Sequence, residues 1–429
     1  MRPIDNLLRQ GPRSLRHPVF LRIWLTGTTA YLARFMDFTL VAWLVVQRTD
    51  DATAVGALIF LRFISFFLFG PFVGLVADRF PRIRTLRFTQ SGVATTSLVL
   101  GLMLLFADVQ LWHIYVYTFV NGTLFMVEIS VRRPYISAVV GPKNLTAALA
   151  LDMISLNVAW FIGANAGGAL VSFIPAGHLY TGIAFTYGFN VFWLRNLPIL
   201  FRREMAEGKE PAFKSLKSGF NYARKNRLIL GGLLVVGLNN FSGYTFESMG
   251  AVFAADIFNA GPVMFGLLMS AQGLGSLVMA AIVVRYGKRV KRPALFMLSG
   301  AMAQHIGSFA FSFVGFAMLG FVTLIFLGMV SMIFGIMHNT LVLTATPDRV
   351  RGRIVGLQIL AMGMFPLGSI AVGQLGDAIG LQEAVRVFSG VGLVVLVVLA
   401  LVMPELRGRV KPLGGPEAPA AGEPVAQTT

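Results

Sequence analysis

The sequence predicts an all-α membrane protein, with twelve transmembrane helices in two pseudo-symmetric six-helix bundles. Three observations carry that prediction. Of 429 residues, 56% are hydrophobic and 13% charged, with a mean hydropathy of +0.73, whereas soluble domains carry about a quarter charged residues. Apolar runs of about 20 residues recur along the chain, the length a helix needs to cross a bilayer; the short alternating strands of a barrel are not seen. Finally, 32 of the 36 Lys and Arg fall in alternate loops, the positive-inside pattern with both termini cytoplasmic. That pattern explains the net charge of +17 as topology and removes the reason to invoke nucleic acid. The reading is a multi-pass protein of the cell membrane.

The first apolar run, 19–46, is too long for a cleaved signal, whose core is about 7–15 residues, so it reads as a retained span. Spans follow at 20–46, 53–77, 87–107, 110–131, 146–172, 178–200, 228–256, 262–285, 293–314, 316–340, 353–376 and 383–403. They divide the chain into a cytoplasmic segment 1–19, a six-helix bundle 20–200, a cytoplasmic linker 201–227, a second bundle 228–403 and a disordered Pro-, Gly- and Ala-rich tail 404–429. Within the linker, Phe213, Leu216, Phe220 and Ala223 recur at helical spacing among Lys214, Lys217, Arg224 and Lys225. That describes a basic amphipathic helix lying on the inner leaflet. The halves share offsets: Pro142 and Pro347, Gly163 and Gly368, and Gly168 and Gly373 are each 205 residues apart. Such duplication places a binding site between the halves.

The stretch 70–87, GPFVGLVADRFPRIRTLR, joins two spans and carries Gly74, Asp78, Arg79, Arg82 and Arg84. It resembles the major facilitator signature G-x-x-x-D-R-x-G-R-[KR]-[KR], with Pro81 for the glycine and Ile83 for one basic residue. The resemblance implies the major facilitator fold. It also implies a conformational latch, in which this loop packs on span 11 near Arg351 and Arg353. In span 5, Gly163, Ala164, Asn165, Gly167 and Gly168 resemble the antiporter motif G-P-x-x-G-G, with Ala164 in place of proline. Together with the turns 141–146 and 344–353 and the segment 219–226, these motifs resemble the branch containing enterobactin-type siderophore exporters and macrolide efflux proteins. That resemblance implies proton-coupled export of an amphipathic small molecule, a drug, macrolide or siderophore-like metabolite, by a protein functional as a monomer. Uptake and lipid translocation are the alternatives on the same fold. A non-transporting receptor or a membrane enzyme is the alternative from another class.

Ionisable groups are expensive inside a bilayer and therefore mark function. The candidates for substrate or proton binding are Arg34, Asp37, Arg62, Asn121, Glu128, Asn157, Asn239, Asn240 and Glu247. Arg34 and Asp37 are spaced to pair at i,i+3. Asp37 is the candidate proton carrier, the alternative being a structural pair with Arg34. Glu128 and Asp152 are expected to pair with Arg132, Arg133 or Lys143, Glu247 to sit at a mouth, and Arg62 offers an anion site. Phe35, Phe38, Phe63, Trp160, Phe241, Tyr244 and Phe246 are candidate walls of an apolar cavity. The five histidines show no metal spacing, and His305 and His338 read as packed helix residues. With no cysteine there is no thiol-metal site. No cofactor is expected, and with no phosphate-cradling loop any pumping draws on an ion gradient.

Overall fold

The computed structural model describes residues 17–49, 51–199, 212–286, 290 and 292–408, with side chains at 70–79 and some helix ends outside that description. The first half comprises α1 (Pro18–Thr49), α2 (Ala52–Arg79), α3 (Arg82–Phe106), α4 (Leu111–Leu170) and α5 (Ala176–Leu194). Helix α4 holds two spans, because Gly141 adopts φ 69° and turns the chain there. Only glycine takes that φ without steric cost. A helix α6 (Ala212–Lys225) then leads to the second half: α7 (Arg227–Leu238), α8 (Thr245–Val252), α9 (Pro262–Tyr286), α10 (Pro293–Phe311), α11 (Ala317–Ala345), α12 (Asp348–Met362), α13 (Met364–Ile379) and α14 (Leu381–Val402).

Eleven helical stretches among the described residues are long and apolar enough to cross a membrane. The twelfth, α5, is diluted by His178, Thr181, Thr186 and Asn190. Its 19 residues still span ~28 Å, close to the ~30 Å of a hydrocarbon core. It ends at Leu194, short of the predicted 200, because Pro198 disfavours helical backbone just before it. Asn190 turns its amide inward, donating to Thr26 O at 3.2 Å and accepting from the Thr29 hydroxyl at 2.9 Å.

Two predicted spans are broken. Span 7 passes from α7 through a π-helical turn, Asn239–Gly243, to α8 and a second π turn, Phe253–Ile257. Span 11 breaks at Gly363 between α12 and α13, where Pro366 removes an N–H donor from the ladder. The expected amphipathic helix is present as α6; Leu216 and Ala223 of its apolar stripe turn toward α12 while Phe220 is exposed. Ala223 is fully buried with Ile229 and Ile354, and Gly219 packs on the backbone of Arg353. Of the tail, Pro404–Arg407 forms a 3-10 turn fastened by Arg227 to Glu405 at 3.0 Å; the rest of the tail call, 409–429, lies outside the described residues.

The 205-residue offset reappears as matching contacts. A Cβ on Gly163 would lie 2.6 Å from Leu32 O of α1, and one on Gly368 1.9 Å from Phe241 O of the corresponding span 7. Across the halves, a Cβ on Gly168 would meet Pro262 O at 2.2 Å, and one on Gly373 would meet Ala52 O at 2.7 Å. Gly56 against Ser369 O (2.6 Å) and Gly266 against Ala164 O (2.7 Å) complete the mirrored set. Small residues permit this backbone-to-backbone approach. The contacts gather where spans 5 and 11 end and spans 2 and 8 begin. That is the distal side, opposite the one that twelve crossings assign to both termini.

A polar clasp joins the same place. Asp377 of α13 accepts the Ala52 and Thr53 backbone N–H groups at 2.9 and 2.8 Å, and the Thr53 hydroxyl donates to it as well. A carboxylate of one half therefore caps a helix of the other. Asp51 accepts the Thr53 and Ala54 amides at 2.7 and 3.2 Å. Burial, then the hydrogen bond to Asp377, holds the Asp51 carboxyl above the usual carboxylate range. A group whose affinity for protons is higher in the clasped form favours that form as pH falls, and the advantage is lost as pH rises through the raised value. Distal closure is therefore expected to strengthen on mild acidification, and Asp51→Asn to remove that dependence. Asp377→Ala is expected to weaken closure by about 1 kcal/mol, the usual cost of a lost cap. Label-pair distances across the distal side, followed against pH, measure both.

Candidate functional site

Between the halves lies a cavity of about 190 Å³. Arg34 and Phe35 of α1, Arg62 of α2, Trp160 of α4 and Glu247 of α8 reach it. Its walls are aromatic. Phe35 stacks on Trp160 with ring centres 5.5 Å apart, and Phe63 meets Phe365 edge-on at 5.3 Å, one ring from each half. Phe38, Phe125 and Met269 fill the remainder.

The charged groups are arranged differently from the sequence expectation. Asp37 does not pair with Arg34. Its Oδ2 accepts from Arg62 Nη2 at 2.7 Å and its Oδ1 from the Tyr117 hydroxyl at 2.8 Å. Asp37 and Arg62 are 4% and 2% exposed, so their pairing offsets a desolvation of several kcal/mol per ion. The i,i+3 spacing permits an Arg34–Asp37 contact, but a neighbouring helix offers the carboxylate a better-directed guanidinium. Arg34 instead lies 3.5 Å over the Phe125 ring. It is 9% exposed, and no hydrogen bond or ion pair reaches it from the described residues. Glu247 is also not at a mouth. It lines the cavity, half-buried, and accepts from Gln272 Nε2 at 2.7 Å.

The other candidates sit elsewhere. Glu128 accepts from Arg132 and, at 3.0 Å, from Gln90, while Asp152 faces Arg133 at 3.9 Å and Tyr31 at 3.4 Å. The expected pairing partners are thus the observed ones for both acids. A side chain on Gly27 would strike Arg132 Nη1 at 2.2 Å, so α1 leaves room for this cluster. Asn121 donates to Thr96 Oγ1 and Tyr117 O, whereas Asn157, Asn165 and Asn240 donate to carbonyls one turn back on their own helices. Asn239 is fully buried in the first π turn. Phe241 stacks on Phe388, Phe246 packs on Phe311, and Tyr244 accepts from Ser331, so these three stand outside the cavity wall. His305 and His338 bond to Ala301 O and Phe334 O of their own helix. Of the latch residues, Arg82 donates to Pro134 O within its own half, Arg84 is exposed, and Arg351 donates to Thr346 O. The side chains of Asp78 and Arg79, and the surroundings of Gly74, lie outside the described residues. Tyr117, Phe125, Gln272 and Phe365 escaped sequence reasoning, since neutral and aromatic residues in apolar helices carry no signal of their own.

A family model described as "Transmembrane secretion effector" matches residues 11–412. The enterobactin exporter EntS of Shigella flexneri is 26% identical over 398 residues, covering 91% of this chain and 93% of that protein. The staphyloferrin A transporter of Staphylococcus aureus is 22% identical over 379 residues, covering 82% and 87%. A variant of the nucleoside transporter NupG superposes with TM-score 0.72 at 15% identity, over 91% of this chain and 100% of that one. A D-xylose–proton symporter gives 0.70 at 13%, over 91% and 99%. At such identity these two structures establish the fold alone. The mirrored bundles, the charged cavity between them and the match along nearly the whole chain place this protein in the transmembrane secretion effector family of major facilitator transporters.

Proposed function

We propose that this protein exports an amphipathic small molecule by alternating access, against inward proton flow. The observation that carries the reading is the central cavity, where aromatic walls from both halves surround charged groups from both halves. An amphipathic cargo has both kinds of surface to satisfy, and a site shared by two bundles opens to whichever side the bundles part. An enterobactin exporter and a staphyloferrin A transporter among the relatives support outward transport of a siderophore-like metabolite, with a drug or macrolide as the other cargo of this amphipathic class. Both termini are placed in the cytoplasm, with no cofactor and with the monomer as the working unit. The stretch from Gly74 to Arg84 serves in this scheme as the latch of the terminal side, against the start of α12.

The test compares cells with and without the protein by untargeted metabolite analysis of the medium and by antibiotic tolerance. Compounds so found are then followed in proteoliposomes. The expected result is at least one compound whose efflux depends on the protein and stops when a protonophore collapses the gradient. No protein-dependent flux would remove the transporter reading in favour of a receptor, and flux indifferent to the gradient would remove the coupling.

A further inference from the structure

We propose that the coupling protonation site is Glu247 with Gln272, and not Asp37. The inference deepens the export reading and rests on it for the direction of proton flow. Asp37 is already committed as a counter-ion. One oxygen accepts from Arg62 and the other from Tyr117, so a proton arriving there would leave a buried guanidinium without its opposite charge. Glu247 faces the same cavity with a neutral partner only. Gln272 Nε2 donates to it at 2.7 Å, while Gln272 Oε1 is buried without a hydrogen-bond partner.

A primary amide suits both forms of a carboxyl group. Its N–H donates to the carboxylate. After rotation, its oxygen accepts the O–H of the acid. The unpartnered Oε1 is the acceptor that the protonated form would use. The proton comes from water on one side, bonds to a Glu247 carboxyl oxygen, and returns to water on the other side when the cavity reopens.

The surroundings leave Glu247 free to change charge. From α1 and α2 the charged groups facing the cavity are Arg34 and Arg62, with Asp37 held behind Arg62. From α9 comes neutral Gln272, and beside α8 stands the Tyr244 hydroxyl, which accepts from Ser331. The charges of α13 and α14 are engaged elsewhere: Asp377 at the clasp, Glu383 with Arg386. Glu247 also rides on a short helix bounded by two π turns. In the first of these, Gly243 O accepts from Gln304 and Ser308 of α10, at 3.1 and 3.2 Å. Such interrupted helices carry coupling ions in transporters and let a local charge change move half a span.

The test is pH-difference infrared spectroscopy of the full chain in nanodiscs, reading the carbonyl stretch of protonated carboxyl groups. In an Asp51→Asn background, which removes the titrating carboxyl of the distal clasp, a titrating band is expected, lost on adding Glu247→Gln and shifted in midpoint by Gln272→Leu. The band is expected to remain in the charge-neutral pair Asp37→Asn with Arg62→Met. In that background, a band that survives Glu247→Gln, one that vanishes with the Asp37 pair, or none before either change would overturn the assignment. Proteoliposome flux of the compounds found above separates the two readings. A titrating Glu247 without proton-driven flux would leave the site standing and sink the export scheme, whereas Glu247→Gln that keeps full gradient-driven flux would sink the site.

Discussion

Asp37→Asn is expected to cost about 3–5 kcal/mol of stability, because it leaves the Arg62 guanidinium buried without its carboxylate. The loss should appear as a lower midpoint of thermal unfolding in detergent. Adding Arg62→Met is expected to recover most of it, since an apolar pair of similar volume carries no desolvation penalty. Tyr117→Phe removes only one hydrogen bond to the same carboxylate, about 1.5–3 kcal/mol for a charged acceptor. If the double variant were no more stable than Asp37→Asn alone, the pair would not be the element that holds α1 to α2 at this depth.

Gly168→Val is expected to prevent distal closure. Its Cβ would stand 2.2 Å from Pro262 O, a backbone atom that no rotamer can move aside. The mirrored Gly373→Val meets Ala52 O at 2.7 Å and is expected to act in the same way from the other half. Both variants should fold, since the clash falls between bundles rather than within one. Both should hold the distal side apart and lose transport by an order of magnitude or more. By contrast, Gly182→Ala, with nothing within 4 Å of its Cβ, should leave flux unchanged. A Gly168→Val protein that transports normally would show that the halves do not need this contact.

The architecture was legible because membrane helices announce themselves by length. The repeat was legible because glycines at backbone contacts tolerate no substitute, so Gly163 and Gly368, and Gly168 and Gly373, kept their spacing. The site was only partly legible. Spacing along one helix placed Arg34 beside Asp37, but the contact that formed depends on which face of α2 turns inward, and that is set by packing. Glu247 was assigned to a mouth by counting residues along a regular helix, whereas two π turns and the break at Tyr244 change its course. Helix α6 shows the same limit: amphipathicity predicts a stripe, but not that α12 receives part of it while Phe220 stays exposed.

Alternating access by two rigid halves is tested most directly by measuring both ends of the molecule at once. The chain has no cysteine, so pairs of introduced cysteines can carry spin labels without background. One pair would span the distal side between the starts of α2 and α9, the other the terminal side between the starts of α3 and α12. In nanodiscs at acid and neutral pH, the account predicts two populations, each short at one end and long at the other. Distances that lengthen together at both ends, or a distal distance that never changes, would contradict it.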